Sequence, residues 1–253
     1  MTRRLEGTVA LVTGASSGIG HATALELARE GASVALVGRR EDRLTALAAE
    51  ISGAGGKALV VPADVTDAQA AAAAVERTVE GLGRLDTVVN NAGLMLLGPV
   101  PGADPDEWRR MIDINLMGLM YTSHAAIPHL VKAAADGPRQ VADIVNVGSL
   151  SGRNAYAMQA AYCATKFGVG AFSEALRQEL ARQHVRVSVV EPGSVDTELR
   201  SHNSDAVQQQ LAAVMGGIER LQSQDVAESV GFIVTRPRHV AVAEVLVRPT
   251  EQV

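Results

Sequence analysis

The apolar run Val9-Ala10-Leu11-Val12-Thr13 passes directly into Gly14-Ala15-Ser16-Ser17-Gly18-Ile19-Gly20 and then into an Ala- and Leu-rich amphipathic stretch. A short β-branched and aliphatic run bounded by glycine reads as a strand, and the stretch after it as a helix. Glycines between the two permit positive φ and let a ligand approach the backbone. The helix start adds unpaired N–H groups and the positive end of a dipole. An anion, and above all a pyrophosphate, suits such a turn. A strand, glycine turn and helix at this position constrain the chain to a parallel α/β sheet whose first crossover cradles phosphate.

The rest of the chain repeats the alternation. Strands are expected at Val9–Thr13, Ser33–Val37, Ala58–Val61, Thr87–Asn90, Asp143–Val147, Val185–Val190 and Glu244–Val247. Helical patterns lie near Gly18–Glu30, Glu41–Ala54, Asp67–Leu82, Asp106–Ala135, Tyr156–Gln183 and Asp225–Thr235. Asp67 caps the Ala-rich segment that follows it, and Gly31 stops the first helix. Strands that are apolar throughout need cover on both faces. The expectation is therefore one domain over 1–253, an α/β Rossmann fold with a doubly wound parallel seven-stranded sheet and helices on both faces. Aromatic residues are only 3% of the chain, so Ala, Val, Leu and Gly must fill the core through close helix–sheet contacts. One long polar connection, Asp196–Gln224, reads as a lid-like insertion.

A formal net charge of −5 argues against nucleic acid as the partner, because phosphate backbones need a cationic face. The single cysteine, Cys163, cannot form an internal disulfide, which suits a reducing compartment. No window approaches a membrane span of about 18 apolar residues, and the first residues lack the apolar stretch of a signal peptide. A soluble cytoplasmic protein without a membrane partner is expected. The six histidines show no spacing of metal ligands, so no metal is expected.

Val37-Gly38-Arg39-Arg40 ends the second strand. An acid at this point would accept from ribose hydroxyls and repel a 2′-phosphate. Two guanidinium groups instead suit phosphate oxygens, so NADP(H) is the expected cofactor. Tyr162 and Lys166, four apart in a helical pattern, can share one face. A positive charge roughly 5 Å from a phenol, at an effective dielectric of ~20, favours phenolate by about 3 kcal/mol. The pair therefore suits proton transfer.

With Thr13 before it, the spacing Gly14-x-x-x-Gly18-x-Gly20 resembles the short-chain dehydrogenase/reductase family, and the further motifs extend the resemblance over essentially the whole chain. The resemblance implies a single Rossmann domain, usually tetrameric and sometimes dimeric, that moves hydride to or from a carbonyl carbon. It implies a catalytic group of Asn115, Ser149, Tyr162 and Lys166. Tyr162 would be the proton donor and acceptor, and Lys166 would also hold the nicotinamide ribose. Ser149, 13 residues before Tyr162, would donate to the substrate oxygen, while Asn115 would hold a water connecting Lys166 to solvent.

The implied cofactor contacts are Gly14, Ser16, Ser17, Gly18, Ile19 and Gly20 at the phosphates, with Arg39 and Arg40 at the 2′-phosphate. Asp64 and Val65 would meet the adenine. Asn90, Asn91, Ala92 and Gly93 would lie along the ribose and sheet, and Pro192, Gly193, Val195 and Thr197 beside the nicotinamide. A substrate pocket is expected from Leu94–Leu97, Leu150, Arg153, Asn154 and the Asp196–Gln224 insertion, with Arg153, Arg200 or His202 as candidates for a carboxylate. The partner is a small carbonyl or alcohol. Four segments, Met95–Val100, Arg110–Asp113, Thr197–Arg200 and Arg248–Val253, are similar to family members that reduce an aldehyde with NADPH. A general hydroxy-acid or alcohol dehydrogenase and a non-catalytic NADP(H) sensor are the alternatives. Sugar epimerases and dehydratases need a larger carboxy-terminal domain, and a methyltransferase leaves Tyr162 and Lys166 unexplained.

Overall fold

The computed structural model describes residues 3–209 and 216–252. The chain runs β1 (Val9–Thr13), α1 (Gly18–Arg29), β2 (Ser33–Gly38), α2 (Glu41–Gly53), β3 (Lys57–Pro62), α3 (Ala68–Leu82) and β4 (Thr87–Asn90). It continues through α4 (Pro105–Ile112), a π-helical turn (Asp113–Met117), α5 (Gly118–Asp136), β5 (Ala142–Val147), α6 (Ala160–Leu180), β6 (Val185–Pro192), α7 (Ser223–Val234) and β7 (Glu244–Val247). Among the described residues, seven strands form one parallel sheet in the order β3-β2-β1-β4-β5-β6-β7. The expected Rossmann α/β architecture is present. The winding reverses between β1 and β4, and such a reversal opens a crevice at the carboxyl ends of the strands.

Two apolar layers cover the sheet, sorted by the period of two along each strand. Ala10 and Val12 of β1 pack with Ala24 and Leu27 of α1, Leu44 and Leu47 of α2, and Val226, Val230 and Ile233 of α7. Val9 and Leu11 face the opposite layer, with Ala74 and Val75 of α3, Leu130 of α5, and Leu176 and Leu180 of α6. Full burial of each such Leu or Ile contributes about 2 kcal/mol. Small residues let the layers approach. A Cβ on Gly231 of α7 would lie 2.9 Å from the Glu26 carboxylate of α1.

Three stretches depart from the sequence expectation. The helix expected over Asp106–Ala135 is α4 and α5, joined by the π-helical turn that contains Asn115. The helix expected from Tyr156 begins at Ala160, because Met158 adopts φ +68 and turns the chain. Its carbonyl accepts from the Gly98 N–H at 2.8 Å instead. The Asp196–Gln224 insertion holds a 3₁₀ turn at Glu198–His202 and a bridge from Val195 to Leu221, and α7 takes up its last two residues. Its part at 210–215 lies outside the described residues.

Charge is buried at the amino-terminal edge of the sheet. Asp143 of β5, fully buried, accepts from Arg186 of β6 at 2.7 and 2.9 Å and from Arg139 at 3.1 Å. The Arg186 guanidinium also donates to the carbonyls of Val234, Arg236, Pro237 and Val240. Removing one partner of such a cluster leaves uncompensated buried charge. Asp143→Ala should therefore lower the urea-unfolding free energy by about 3–5 kcal/mol, and a loss below about 1 kcal/mol would refute this account.

Candidate active site

The carboxyl ends of β1, β4, β5 and β6 surround a cavity of about 620 Å³. Its floor is the turn after β1. Gly14 has φ +65 and Gly18 φ +55, conformations that L side chains rarely adopt. A Cβ on Gly14 would lie 2.9 Å from the Ala92 backbone. Gly20 does not line the cavity. A Cβ there would lie 2.4 Å from the Gly14 carbonyl, so its role is to let α1 sit against the turn. Ser17 stands at the N-cap of α1 without capping it; its hydroxyl accepts from Arg40 Nη2 at 2.6 Å. The helix start is thereby left open to an anion.

Thr13 ties the two sides of the crevice. Its Oγ1 accepts from the N–H groups of Asn91 (3.0 Å) and Ala92 (3.1 Å), and Asn91 Nδ2 donates back to the Thr13 carbonyl at 3.0 Å. Asn91, Ala92 and Gly93 line the cavity, as expected. Asn90 does not. Its buried Nδ2 donates to Ser123 at 2.9 Å and Asn146 at 2.8 Å, so it fastens β4 to its neighbours rather than reaching a ribose.

At one end of the cavity stand Ser16, Ile19, Arg39, Arg40, Asp64 and Val65. Arg39 is exposed, Asp64 is half-buried, and the two lie 3.7 Å apart. Asp64 also accepts from the Thr66 N–H and hydroxyl, which fixes the turn after β3. Arg40 donates from Nε to Ser16 at 3.1 Å and from Nη1 to Glu198 at 2.9 Å.

At the other end stand Ser149, Tyr162 and Lys166. Ser149 ends the loop from β5, where its Oγ accepts from the Ser151 N–H at 3.1 Å. Tyr162 and Lys166 project from one face of α6 into the cavity wall and are buried. Lys166 Nζ donates to the Val147 carbonyl at 2.8 Å and lies 5.9 Å from the Tyr162 ring centre. Charge alone pulls the phenol toward phenolate, as expected from the sequence, but burial reverses that direction. Burial pushes the Tyr162 phenol up to about 12, against a hydrogen bond with Ser149 that pulls it down. The same burial brings Lys166 down to about 8. Desolvation outweighs the attraction of the ammonium for a phenolate, so at neutral pH Tyr162 holds its proton.

Asn115 lies in the π-helical turn, whose extra residue turns the side chain toward the loop after β4. Its Oδ1 accepts from the Leu94 N–H at 2.7 Å, and its Nδ2 donates to the Leu94 carbonyl at 2.8 Å and to Thr165 at 3.1 Å. It thus clamps that loop to the helix turn next to Lys166. Pro192, Gly193, Val195 and Thr197 line the cavity beyond β6. The Ser194 N–H donates to Gln252 at 2.8 Å, and Glu251 and Gln252 form part of the wall.

In the expected substrate pocket, Leu94, Met95, Leu97 and Leu150 line the cavity, whereas Leu96 turns into a small core with Met111. Arg153 and Asn154 are corrected: neither lines it. Arg153 is drawn away by Glu191 at 2.5 Å and by Glu244, neither of which is near it in sequence. Arg200 and His202 do line the cavity, and Arg200 donates to Ser194 at 2.7 Å. Sequence reasoning missed Tyr156, Gln159, Glu251 and Gln252 as wall residues, whereas Glu198 and Ile218 belong to the insertion expected there. Gln159 stands one turn before Tyr162, and that proximity is the one local signal for it.

Residues 8–208 match the family model described as short chain dehydrogenase. An uncharacterized oxidoreductase of Staphylococcus epidermidis is 36% identical over 246 residues, 97% of this chain and 99% of its own length. A glycine betaine reductase of Emericella nidulans is 37% identical over 248 residues, 98% of this chain, and the chain spans only 19% of that protein. Among solved structures, the closed form of a serine dehydrogenase complexed with NADP+ matches with a TM-score of 0.88 at 31% identity, covering 97% of this chain and 96% of the other.

The buried lysine should leave a mark on stability. Its pKa is about 8 in the fold against 10.5 for the free group, so between these values the unfolded chain binds more protons. Stability then rises with pH through this window. Tyr162 opposes it only above 10, where the folded chain holds the extra proton. Unfolding free energies measured from pH 7.5 to 9.5 should rise in the parent relative to Lys166→Met. A flat difference would mean that Lys166 is charged in the fold throughout.

Proposed function

Because the chain belongs to the short-chain dehydrogenase family, we propose that it is an NADP(H)-dependent oxidoreductase that reversibly reduces an aldehyde or ketone to an alcohol. The observation that carries this reading is one cavity that joins the uncapped start of α1 and two arginines to Ser149, Tyr162 and Lys166. The residues present fit the cofactor: Gly14 and Gly18 line the cavity in positive-φ conformations that side chains rarely adopt, which leaves the turn open to a pyrophosphate, and Gly38 carries no carboxylate to repel a 2′-phosphate. When bound, the reduced nicotinamide supplies the hydride. The NADP+ of the serine dehydrogenase supports the choice of nucleotide.

In this reading Ser149 donates to the substrate oxygen as negative charge develops there. Tyr162, a neutral phenol at working pH, gives its proton to the same oxygen. Lys166, brought down to about 8, stands behind it to restore that proton, and Asn115 keeps the adjoining loop and helix in register for a relay to solvent. A phenol held protonated favours the direction of reduction. Leu94, Met95, Leu97 and Leu150 give the pocket an apolar wall.

The segments Met95–Val100, Arg110–Asp113, Thr197–Arg200 and Arg248–Val253 resemble clavulanic acid dehydrogenase, which favours an aldehyde substrate of secondary metabolism. Arg200 and His202 on the cavity favour a hydroxy acid as the second reading. Phe167 of α6, Phe232 of α7 and Leu246 of β7 are exposed apolar side chains suited to burial in a homotetramer or dimer. Among the described residues no helix is long and apolar enough to cross a membrane. The single cysteine, which suits a reducing compartment, supports a cytoplasmic location.

Two measurements test the reading. In a carbonyl panel followed by NADPH absorbance, Tyr162→Phe should lose turnover by about 10²-fold or more while binding NADPH as the parent does. Unchanged turnover sinks the mechanism, and a parent that binds NADPH but oxidises it with no carbonyl is a sensor. Arg39→Asp should shift preference from NADPH toward NADH, and a parent already faster with NADH would reject the nucleotide assignment.

A further inference from the structure

The insertion after β6 reaches the arginine end of the cavity through one carboxylate. Glu198 opens the 3₁₀ turn Glu198–His202, which Thr197 caps. Its Oε2 accepts from Arg40 Nη1 at 2.9 Å and its Oε1 from Arg43 Nη1 at 2.6 Å. Arg40 is the guanidinium whose other nitrogens are held by Ser16 and Ser17 of the phosphate turn. The base of the insertion also rests on that turn, since a Cβ on Gly18 would lie 3.3 Å from the Thr197 methyl.

A carboxylate and a phosphate monoester present oxygens to a guanidinium fork in the same way. Arg39, Arg40 and Arg43 bring three positive charges to the start of α2, and Glu198 is seated against two of them, Arg40 and Arg43, where a phosphate would be drawn. Hydrogen bonds from Arg43 and then Arg40 hold its carboxyl at about 2, so it stays ionised at any working pH. Both ion pairs are nearly half exposed, with side-chain exposures of 41% and 45% for the arginines and 47% for Glu198. Pairs this wet are weak and exchange readily.

Resting on the NADP(H) reading above, we propose that Glu198, anchored by Arg43, is a specificity-determining residue whose carboxylate competes with the cofactor's 2′-phosphate for Arg40. Nucleotide affinity is then set by the insertion as well as by the arginines, and the 2′-phosphate is felt by the segment that carries Leu199, Arg200 and His202 along the substrate pocket.

The test is calorimetric binding of 2′,5′-ADP and of 5′-ADP to the full chain and to Glu198→Gln, with thermal melts to confirm that both are folded. The variant should bind 2′,5′-ADP about fivefold more tightly than the parent, with 5′-ADP unchanged. An unchanged or weaker affinity for 2′,5′-ADP overturns the proposal, as does an equal gain for both nucleotides. A parent that binds the two nucleotides alike removes the NADP(H) reading and the proposal together. A parent that prefers 2′,5′-ADP with an indifferent variant removes the proposal alone.

Discussion

The Thr13 hydroxyl accepts two backbone N–H groups, those of Asn91 and Ala92, at the point where the winding of the sheet reverses. β1 and β4 are neighbours in space but lie far apart in sequence, and this junction sets how wide the crevice between their ends can open. The glycine turn, the start of α1 and the loop clamped by Asn115 all take their positions from it. Gly14 follows as a steric consequence, because the Ala92 backbone approaches too closely for a side chain, and Gly20 because α1 begins against the turn. The cradle is thus a product of backbone proximity at a topological switch point.

The two edges of the sheet treat buried charge differently. At the amino-terminal edge, Asp86 and Asp143 are matched by Arg84, Arg139 and Arg186 and by backbone groups, so desolvation is offset by dense pairing. At the carboxyl edge, among the described residues, Lys166 donates to the Val147 carbonyl and Tyr162 meets the Ser149 hydroxyl. The same burial that is compensated below is left to act on pKa above. The Tyr162 phenol is pushed up to about 12 and Lys166 brought down to about 8, and shifted groups of this kind beside a cavity are what mark a candidate site.

Much of the fold was legible because its signals are local. The period of each strand, the Asp67 cap and the glycine turn depend on neighbours in sequence, and the strand ends fall within two residues of where the pattern puts them. The departures came from contacts made across the fold. Met158 breaks the start of a helix to meet Gly98, and the stretch around Asn115 gains a π turn to reach Leu94. Arg153, a candidate for a substrate carboxylate, is instead satisfied by Glu191 and Glu244, which no spacing rule could pair with it.

The sequence by itself determined the alternation of strand and helix, the glycine turn, the absence of an acid after β2 and the four-residue spacing of Tyr162 and Lys166. Each is a matter of residue type at short range, where backbone geometry leaves few options. The tertiary structure decided how deeply Tyr162 and Lys166 are buried, and so reversed the expected shift of the phenol. It also decided that Asn90 serves the sheet, that Gln252 from the chain's end supports Ser194, and that Glu198 sits on Arg40 and Arg43. Desolvation and long-range pairing depend on what surrounds a group in space, and a linear pattern carries no record of that.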